Sequence, residues 1–188
     1  LALGVTDMRA ATMPQRFEEA LQAVGRTVRR RGSAADKAML DKVAATRATF
    51  ASWCAELADA PGSPSLNHND LHDANVFAPE GRLLFFDFGD AVASSPLAAL
   101  RIPLEGYARR LGTDAADPRV RAVADAALEV WSDLAPRSQL RAALPAAWRL
   151  AALGRAESWH RILSTVPERF VDEDYRGADA DWLAAAAL

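Results

Sequence analysis

The polar segment at residues 66–90 constrains the fold most, because it interrupts a chain whose other patterns are helical. Within this segment, His68, Asp70 and Asn75 have the spacing H-x-D-x-x-x-x-N. A D-F-G triplet begins at Asp87, twelve residues after Asn75. The many Asn and Asp side chains in the first half of the segment favour turns. The first half is therefore predicted to form a polar loop rather than another helix.

A β-hairpin is predicted in the second half of the segment. Two short apolar runs, residues 75–77 and 83–86, flank a loop of five residues that contains glycine. A two-stranded hairpin is only marginally stable by itself, so the flanking helices are expected to cover it. The hairpin would bring the loop that carries Asp70 back beside Asp87.

The residues before this segment are predicted to form two helices. Apolar residues recur at helical spacing after Thr12 and Gln15, a candidate capping box, and the first helix is expected to end near Arg31. A second capping box, Ser33 with Asp36, is expected to begin a helix that ends before a Pro- and Gly-rich turn. The predicted apolar face of this second helix comprises Met39, Leu40, Val43, Phe50, Trp53, Cys54 and Leu57.

Helical patterns resume after the polar segment. Start signals at residues 95–96, 117–118 and 138 predict three helices, and Pro145 is expected to interrupt the last of them. The acidic residues 168–175 are predicted to form a loop. Together, these patterns predict a mainly α (α+β) fold in which helices surround a small β-hairpin.

A chain of 188 residues has the size of one domain. We expect a single unit with a helical lead-in at 1–60, loops at 61–92 and C-terminal helices at 93–188. The net charge of −3 provides no basic surface for nucleic acid or an anionic membrane. No apolar run approaches the ~18 residues of a membrane span. Because Cys54 is the only cysteine, disulfides are excluded, and a cytoplasmic location is expected.

Three side chains of the polar segment suit phosphoryl transfer. This reaction requires a carboxylate that orients the attacking hydroxyl, and oxygen ligands that hold Mg²⁺ against the nucleotide phosphates. Asp70, Asn75 and Asp87 can supply these groups. Because the predicted hairpin returns the chain beside the loop, the two candidate metal ligands would converge on one cation.

Residues 68–76 resemble the catalytic loop H-G-D-L-H-x-x-N-[VIL] of the aminoglycoside phosphotransferase and choline kinase group, with Asn69 where Gly is usual. His72 matches this group better than it matches protein kinases. The resemblance implies the C-terminal lobe of a protein kinase-like fold. It also implies Mg²⁺-dependent transfer of phosphate from ATP or GTP to a hydroxyl of a small molecule.

The resemblance also implies a role for each matching residue. Asp70 would be the catalytic base, and His72 would approach the transferred phosphate. Asn75 and Asp87 would bind Mg²⁺ and, through it, the nucleotide. His68 is expected to support the loop. Gly89 is expected to set the path of the backbone after the metal ligand Asp87.

Acidic residues hold the cationic substrate in aminoglycoside kinases, on the C-terminal helices and the last loop. The corresponding candidates in this chain are Glu105, Glu157, Asp172, Glu173 and Asp174. The chain departs from the group's pattern at Ala99, where the motif D-P-x-x-D-L-A has its second acid.

Kinases of this type are expected to have an N-terminal lobe with a strand-borne lysine and a loop over the phosphates. The sequence contains no such pattern, since Lys37 and Lys42 are its only lysines and both fall in a helical pattern. We therefore expect a C-terminal lobe whose nucleotide-clamping partner is missing. The isolated chain is expected to be weakly active or inactive.

Two other functions fit parts of the pattern. The first is a non-catalytic nucleotide- or ligand-binding module that retains the kinase loops. The second is a metal-dependent hydrolase, in which His68 and His72 on one helical turn would bind zinc. The turn-forming residues around this pair, and the absence of a neighbouring Glu, disfavour the hydrolase.

Overall fold

The computed structural model describes residues 4–188, and most of these residues are helical. Their seven α-helices are α1 (Met13–Arg31), α2 (Ala34–Ala45), α3 (Arg47–Ala58), α4 (Arg101–Arg110), α5 (Pro118–Leu128), α6 (Arg137–Thr165) and α7 (Ala178–Ala187). The five strands are β1 (Thr6–Asp7), β2 (Ser65–Asn67), β3 (Val76–Phe77), β4 (Leu84–Phe85) and β5 (Val92–Ser94). The predicted mainly α architecture is therefore confirmed.

The two predicted capping boxes have different outcomes. Ser33 and Asp36 form theirs, with the Asp36 amide donating to Ser33 Oγ and the Ser33 amide donating to the Asp36 carboxylate. The prediction for Thr12 and Gln15 is wrong. The Thr12 hydroxyl instead donates to the Arg9 carbonyl at 2.9 Å. Thr12 Oγ therefore turns back toward the preceding turn and does not cap α1.

The second predicted helix is divided into α2 and α3. The break is at Thr46, whose hydroxyl donates to the Val43 carbonyl at 2.7 Å and so competes with the helical hydrogen bonds. The division lets both apolar faces reach the core, where Phe50 of α3 stacks on Phe17 of α1 with ring centroids 4.2 Å apart. Cys54 is buried as predicted, and burial raises the pKa of its thiol to about 12.

Helix α6 is the centre of the core. Its buried side chains, among them Leu150 and Leu153, contact α1, α3 and α7. The expected interruption at Pro145 is wrong, because α6 continues through this exposed proline. A proline inside a helix costs a hydrogen bond, and the burial of residues on both sides of it offsets this cost. Within residues 4–188, every helix is too short or too polar to cross a membrane.

A three-stranded sheet holds the two ends of the polar segment together, because β2 at its start pairs with β5 after its end. The strand order is β1-β5-β2, with β1 parallel and β2 antiparallel to β5. Asn67 of β2 is buried and donates to Ser94 Oγ at 2.7 Å and to the Ser95 carbonyl at 2.8 Å. The residues between these strands therefore project as one loop system from a fixed base.

The predicted hairpin is formed by β3 and β4, with Val76 opposite Phe85 and Phe77 opposite Leu84. The expectation that helices cover it is wrong. Phe77 is 61% exposed, Leu84 45% and Phe86 48%. The helices direct their apolar faces towards α6, so the apolar side chains of the hairpin remain at the surface.

Candidate active site

Asn69 adopts a left-handed backbone conformation at the start of the loop, with φ of 64°. This conformation explains why glycine is usual at the position, and asparagine is one of the few other residues that tolerate it. The side chain of Asn69 rests on Gly154 of α6. A Cβ atom on Gly154 would lie 3.0 Å from Asn69 Oδ1 and 3.1 Å from Nδ2.

Gly154→Ala is expected to destabilise the fold by about 1–3 kcal/mol, because the added methyl group would displace the Asn69 amide. Urea unfolding followed by circular dichroism measures this change. Gly106→Ala is the matched control, since Gly106 lies inside α4 with open space beside its Cα. Alanine there should be neutral or stabilising.

Asn69→Gly should rescue Gly154→Ala, because glycine removes the amide and adopts the positive φ without strain. A double-mutant cycle should give a coupling of at least ~0.5 kcal/mol. If Gly154→Ala costs the same with Asn69 and with glycine at that position, the amide is not what excludes a methyl group from α6.

An arginine of α6 holds Asp70. Arg155 Nη2 lies 3.2 Å from Asp70 Oδ1, and Arg155 Nη1 donates to Asp90 Oδ2 at 2.7 Å. Arg161, six residues further along α6, donates to Asp90 Oδ1 at 2.6 Å and to the Gly89 carbonyl at 3.2 Å. The guanidinium of Arg155 therefore links the catalytic-base candidate to the residues after the D-F-G triplet.

His68 joins the loop to the strand before Asp87. Its Nε2 lies 2.8 Å from the Phe86 carbonyl, which can only accept, so Nε2 carries the proton. Its Nδ1 then accepts from the Asp70 amide at 3.4 Å, and its ring contacts Phe88 at 4.6 Å between centroids. The buried imidazole therefore sets the spacing between the two halves of the segment.

The geometry of Asn75 leaves its amide oxygen for a ligand. Its Nδ2 donates to the Asp70 carbonyl at 2.9 Å, which directs Oδ1 the other way. Its backbone carbonyl accepts from the Phe86 amide at 3.3 Å, so Asn75 lies beside the residue that precedes Asp87. The hairpin thus brings the two predicted metal ligands to adjacent positions.

Asp87 is exposed and has the unusual φ of 62°. Within the described residues, no hydrogen bond or ion pair occupies its carboxylate. Strained backbone of this kind is typical of functional sites. Carboxylate and amide oxygens are also the ligands that Mg²⁺ prefers. The free carboxylate of Asp87 and the free amide oxygen of Asn75 therefore have the donor chemistry that Mg²⁺ prefers.

His72 lies at the edge of the site. Its Nδ1 accepts from the Ala74 amide at 3.2 Å, and its Nε2 lies 3.9 Å from Asp70 Oδ2. The next residue, Asp73, binds Arg110 of α4 at 2.6 Å. The half-exposed imidazole of His72 can therefore reach a group that approaches Asp70.

The five candidate substrate acids lie in three separate parts of the chain, and Asp172, Glu173 and Asp174 share one short turn. Glu105 in α4 pairs with Arg101 at 2.9 Å. Asp172 accepts from the Asp174 amide, and Glu173 pairs with Arg176. Glu157 is in α6. Within the described residues, none of the five bonds to the polar segment.

Burial raises the pKa of Glu157 to about 6, from an ordinary value of 4.5. A raised carboxyl pKa means that the folded state binds the proton more tightly than the unfolded chain does. Stability is therefore lost as the pH rises from 4.5 through about 6.

Glu157→Gln should raise the free energy of unfolding by about 1–2 kcal/mol at pH 7.5, because it removes this loss. At pH 4, where Glu157 is protonated, the two proteins should have equal stability. Urea unfolding at both pH values measures the difference, and the same stabilisation at both would contradict the titration of Glu157.

The arrangement that a hydrolase would need is not formed. Residues 68–72 are not helical, so His68 and His72 do not share a helical face. Both ring nitrogens of His68 are also engaged. Within residues 4–188, no three His, Cys, Asp or Glu side chains are grouped to hold a metal.

Sequence reasoning did not identify Arg155, Arg161 or Gly154. An arginine in a long helix usually indicates a solvated charge, and no local pattern shows that α6 passes beneath the loop. Asp90 forms ion pairs with both arginines, which gives it a supporting role next to the D-F-G triplet.

The family model described as "Phosphotransferase enzyme family" matches residues 5–140. The match contains the complete polar segment and ends near the start of α6, before Arg155. No curated protein and no solved structure is similar enough to the chain to count as a match.

Proposed function

Because the chain belongs to the phosphotransferase enzyme family, we propose that it transfers a phosphoryl group from ATP or GTP to a hydroxyl of a small molecule. The arrangement of Asp70, Asn75 and Asp87 supports this proposal most. One hydrogen bond joins Asn75 to Asp70, and a second joins Asn75 to the residue before Asp87. The acceptor and metal functions would therefore meet in one loop system.

Asp70 would act through Oδ2. Arg155 binds Oδ1 of this carboxylate, while Oδ2 faces the half-exposed His72. A substrate hydroxyl would donate its hydrogen bond to Oδ2, which takes the proton as the oxygen attacks the phosphate. His72 would donate a hydrogen bond from Nε2 to the transferred group, since its Nδ1 accepts from the Ala74 amide.

Mg²⁺ would be held by Asn75 Oδ1 and the Asp87 carboxylate. In phosphoryl transfer, the metal neutralises the nucleotide phosphates. Two protein ligands suffice, because Mg²⁺ keeps several waters and takes its other oxygens from the phosphates. His68 would keep the two ligands apart at a constant distance, through its bond to the Phe86 carbonyl.

We assign the chain to the C-terminal lobe of a kinase-like fold, a single unit with a helical lead-in at 1–60, the catalytic and metal loops at 61–92 and the C-terminal helices at 93–188. The exposed apolar side chains of the hairpin support this assignment, since a nucleotide and a second lobe would cover them. Lys37 and Lys42 both lie on α2, away from any strand. Without a second lobe, the chain alone should be a poor enzyme.

The substrate would be a small, cationic hydroxyl compound such as an amino sugar or an amino alcohol. We base this on the acidic candidates of the C-terminal half, because aminoglycoside kinases hold their cationic substrate with acidic residues of their C-terminal helices and last loop. The single buried Cys54 supports a reducing, cytoplasmic location.

The proposal is tested by incubating the chain with ATP or GTP, Mg²⁺ and a panel of amino sugars and amino alcohols, and by detecting products by mass spectrometry. The same panel is tested with the chain joined to any residues that are encoded ahead of it. We expect at least one product that has gained a phosphoryl group, and none without Mg²⁺. Nucleotide binding without any transfer would instead indicate a non-catalytic binding module.

A further inference from the structure

A groove of about 550 Å³ lies between α4, α5, α6 and the end of α7. Every charged side chain that lines it in the described chain is an arginine, and these are Arg101, Arg121, Arg141 and Arg149. No residue of the polar segment lines the groove. The groove is therefore separate from the polar segment, and its charged side chains are all cationic.

Two of the four arginines have a carboxylate partner within the described residues. Arg101 pairs with Glu105, and Arg141 pairs with Asp125. Arg121 and Arg149 have no carboxylate partner in residues 4–188. The Arg149 guanidinium instead lies over the ring of Trp53, 4.3 Å from its centroid. Two cations are therefore available to an anion from solution.

The pKa of Arg101 is lowered in the groove. Burial lowers the pKa of Arg101, and the neighbouring Arg149 also lowers it, against the opposing effect of Glu105. Like charges that are held close together in a partly buried groove repel each other. An anion bound between the arginines would reduce this repulsion.

The rest of the lining is apolar. Leu104 and Val120 come from the small core between α4 and α5, and Leu144 and Trp148 come from the facing side of α6. The volume is in the range of sites for small organic molecules, ~300–1,000 Å³. The groove thus combines an apolar lining with cationic side chains.

We propose that this groove binds a small amphiphilic anion, with its apolar body on Leu104, Leu144 and Trp148 and its carboxylate or phosphate head on Arg121 and Arg149. Arginine suits both heads, because its guanidinium donates two parallel hydrogen bonds to oxygen pairs. A neutral amphiphile would gain only the apolar contact, and a cationic one would be repelled. Binding here does not depend on the proposed phosphotransferase activity.

Calorimetric titration of the full chain with decanoate, decyl phosphate and decanol tests the proposal. We expect decanoate or decyl phosphate to bind at least tenfold more tightly than decanol, and the tighter of the two identifies the head group. Arg121→Gln should weaken that anion about tenfold, since a charge-assisted hydrogen bond is lost. It should leave decanol unchanged.

Arg109→Gln is the matched control, because Arg109 is an exposed arginine of α4 that does not line the groove. It should bind all three compounds as the wild type does. Arg149→Gln provides a second test on another helix, since Arg149 lies in α6 and Arg121 in α5. Equal affinities for decanol and both anions would overturn the proposal, as would anion binding that is unchanged in both groove variants. The absence of binding by either anion would also overturn it.

Discussion

Asp70→Asn should lower kcat by at least about 100-fold, because the loss of a general base usually costs 10²–10⁴-fold. Asparagine keeps an oxygen for Arg155 Nη2, which now lies 3.2 Å from Asp70 Oδ1. Its amide nitrogen, however, cannot take a proton from the attacking hydroxyl at the Oδ2 position. Steady-state kinetics with the best substrate of the panel, on the most active form of the chain, measure this loss.

Asp73→Asn is the control for this experiment. Asp73 is in the same loop, and its 75% exposed side chain pairs with Arg110 on the surface. Surface ion pairs contribute about 0–1 kcal/mol, so kcat should change by no more than a few-fold. If Asp70→Asn remains within about tenfold of the wild type, Asp70 is not the base.

Asp87→Asn should remove most of the stabilisation that Mg²⁺ and a nucleotide together give to the chain. Asparagine tolerates the φ of 62° at this position. Because the Asp87 carboxylate has no partner within the described residues, the fold should not change. Replacing a residue that only hydrogen-bonds to a metal ligand costs ~10–100-fold in metal affinity. Replacing the ligand itself should therefore cost at least tenfold. Thermal shifts over a nucleotide series, with and without Mg²⁺, measure this.

Asp133→Asn is the matched control, since Asp133 is also exposed and its carboxylate has no bond in the described chain. Its Mg²⁺-dependent thermal shift should equal that of the wild type. A full shift in Asp87→Asn would mean that another group holds the metal.

Features that depend on neighbours in sequence are predictable here. The Ser33–Asp36 box begins α2, and the β3–β4 hairpin forms between the two expected apolar runs. The spacing of Asp70 and Asn75 also indicates a shared loop, because only four residues separate them. In each case, the determining interactions are local.

Features that depend on distant residues are not predictable. Arg155 reaches Asp70 only because α6 crosses beneath the loop, and no sequence period shows that crossing. The exposure of Phe77 and Phe86 has the same origin, since an apolar strand pattern does not reveal whether a helix covers it. The wrong prediction at Thr12 has a local cause instead. Its hydroxyl bonds to the Arg9 carbonyl and therefore does not cap α1.

The most direct test of the central claim is nuclear magnetic resonance with Mn²⁺ in place of Mg²⁺. In the presence of ATP or GTP, Mn²⁺ should broaden the backbone amide signals of Asn75 and Asp87 far more than those of Arg109. The same signals should keep their width when Mn²⁺ is added to Asp87→Asn. Broadening centred elsewhere, or equal broadening in the variant, would contradict a metal–nucleotide site at these two residues.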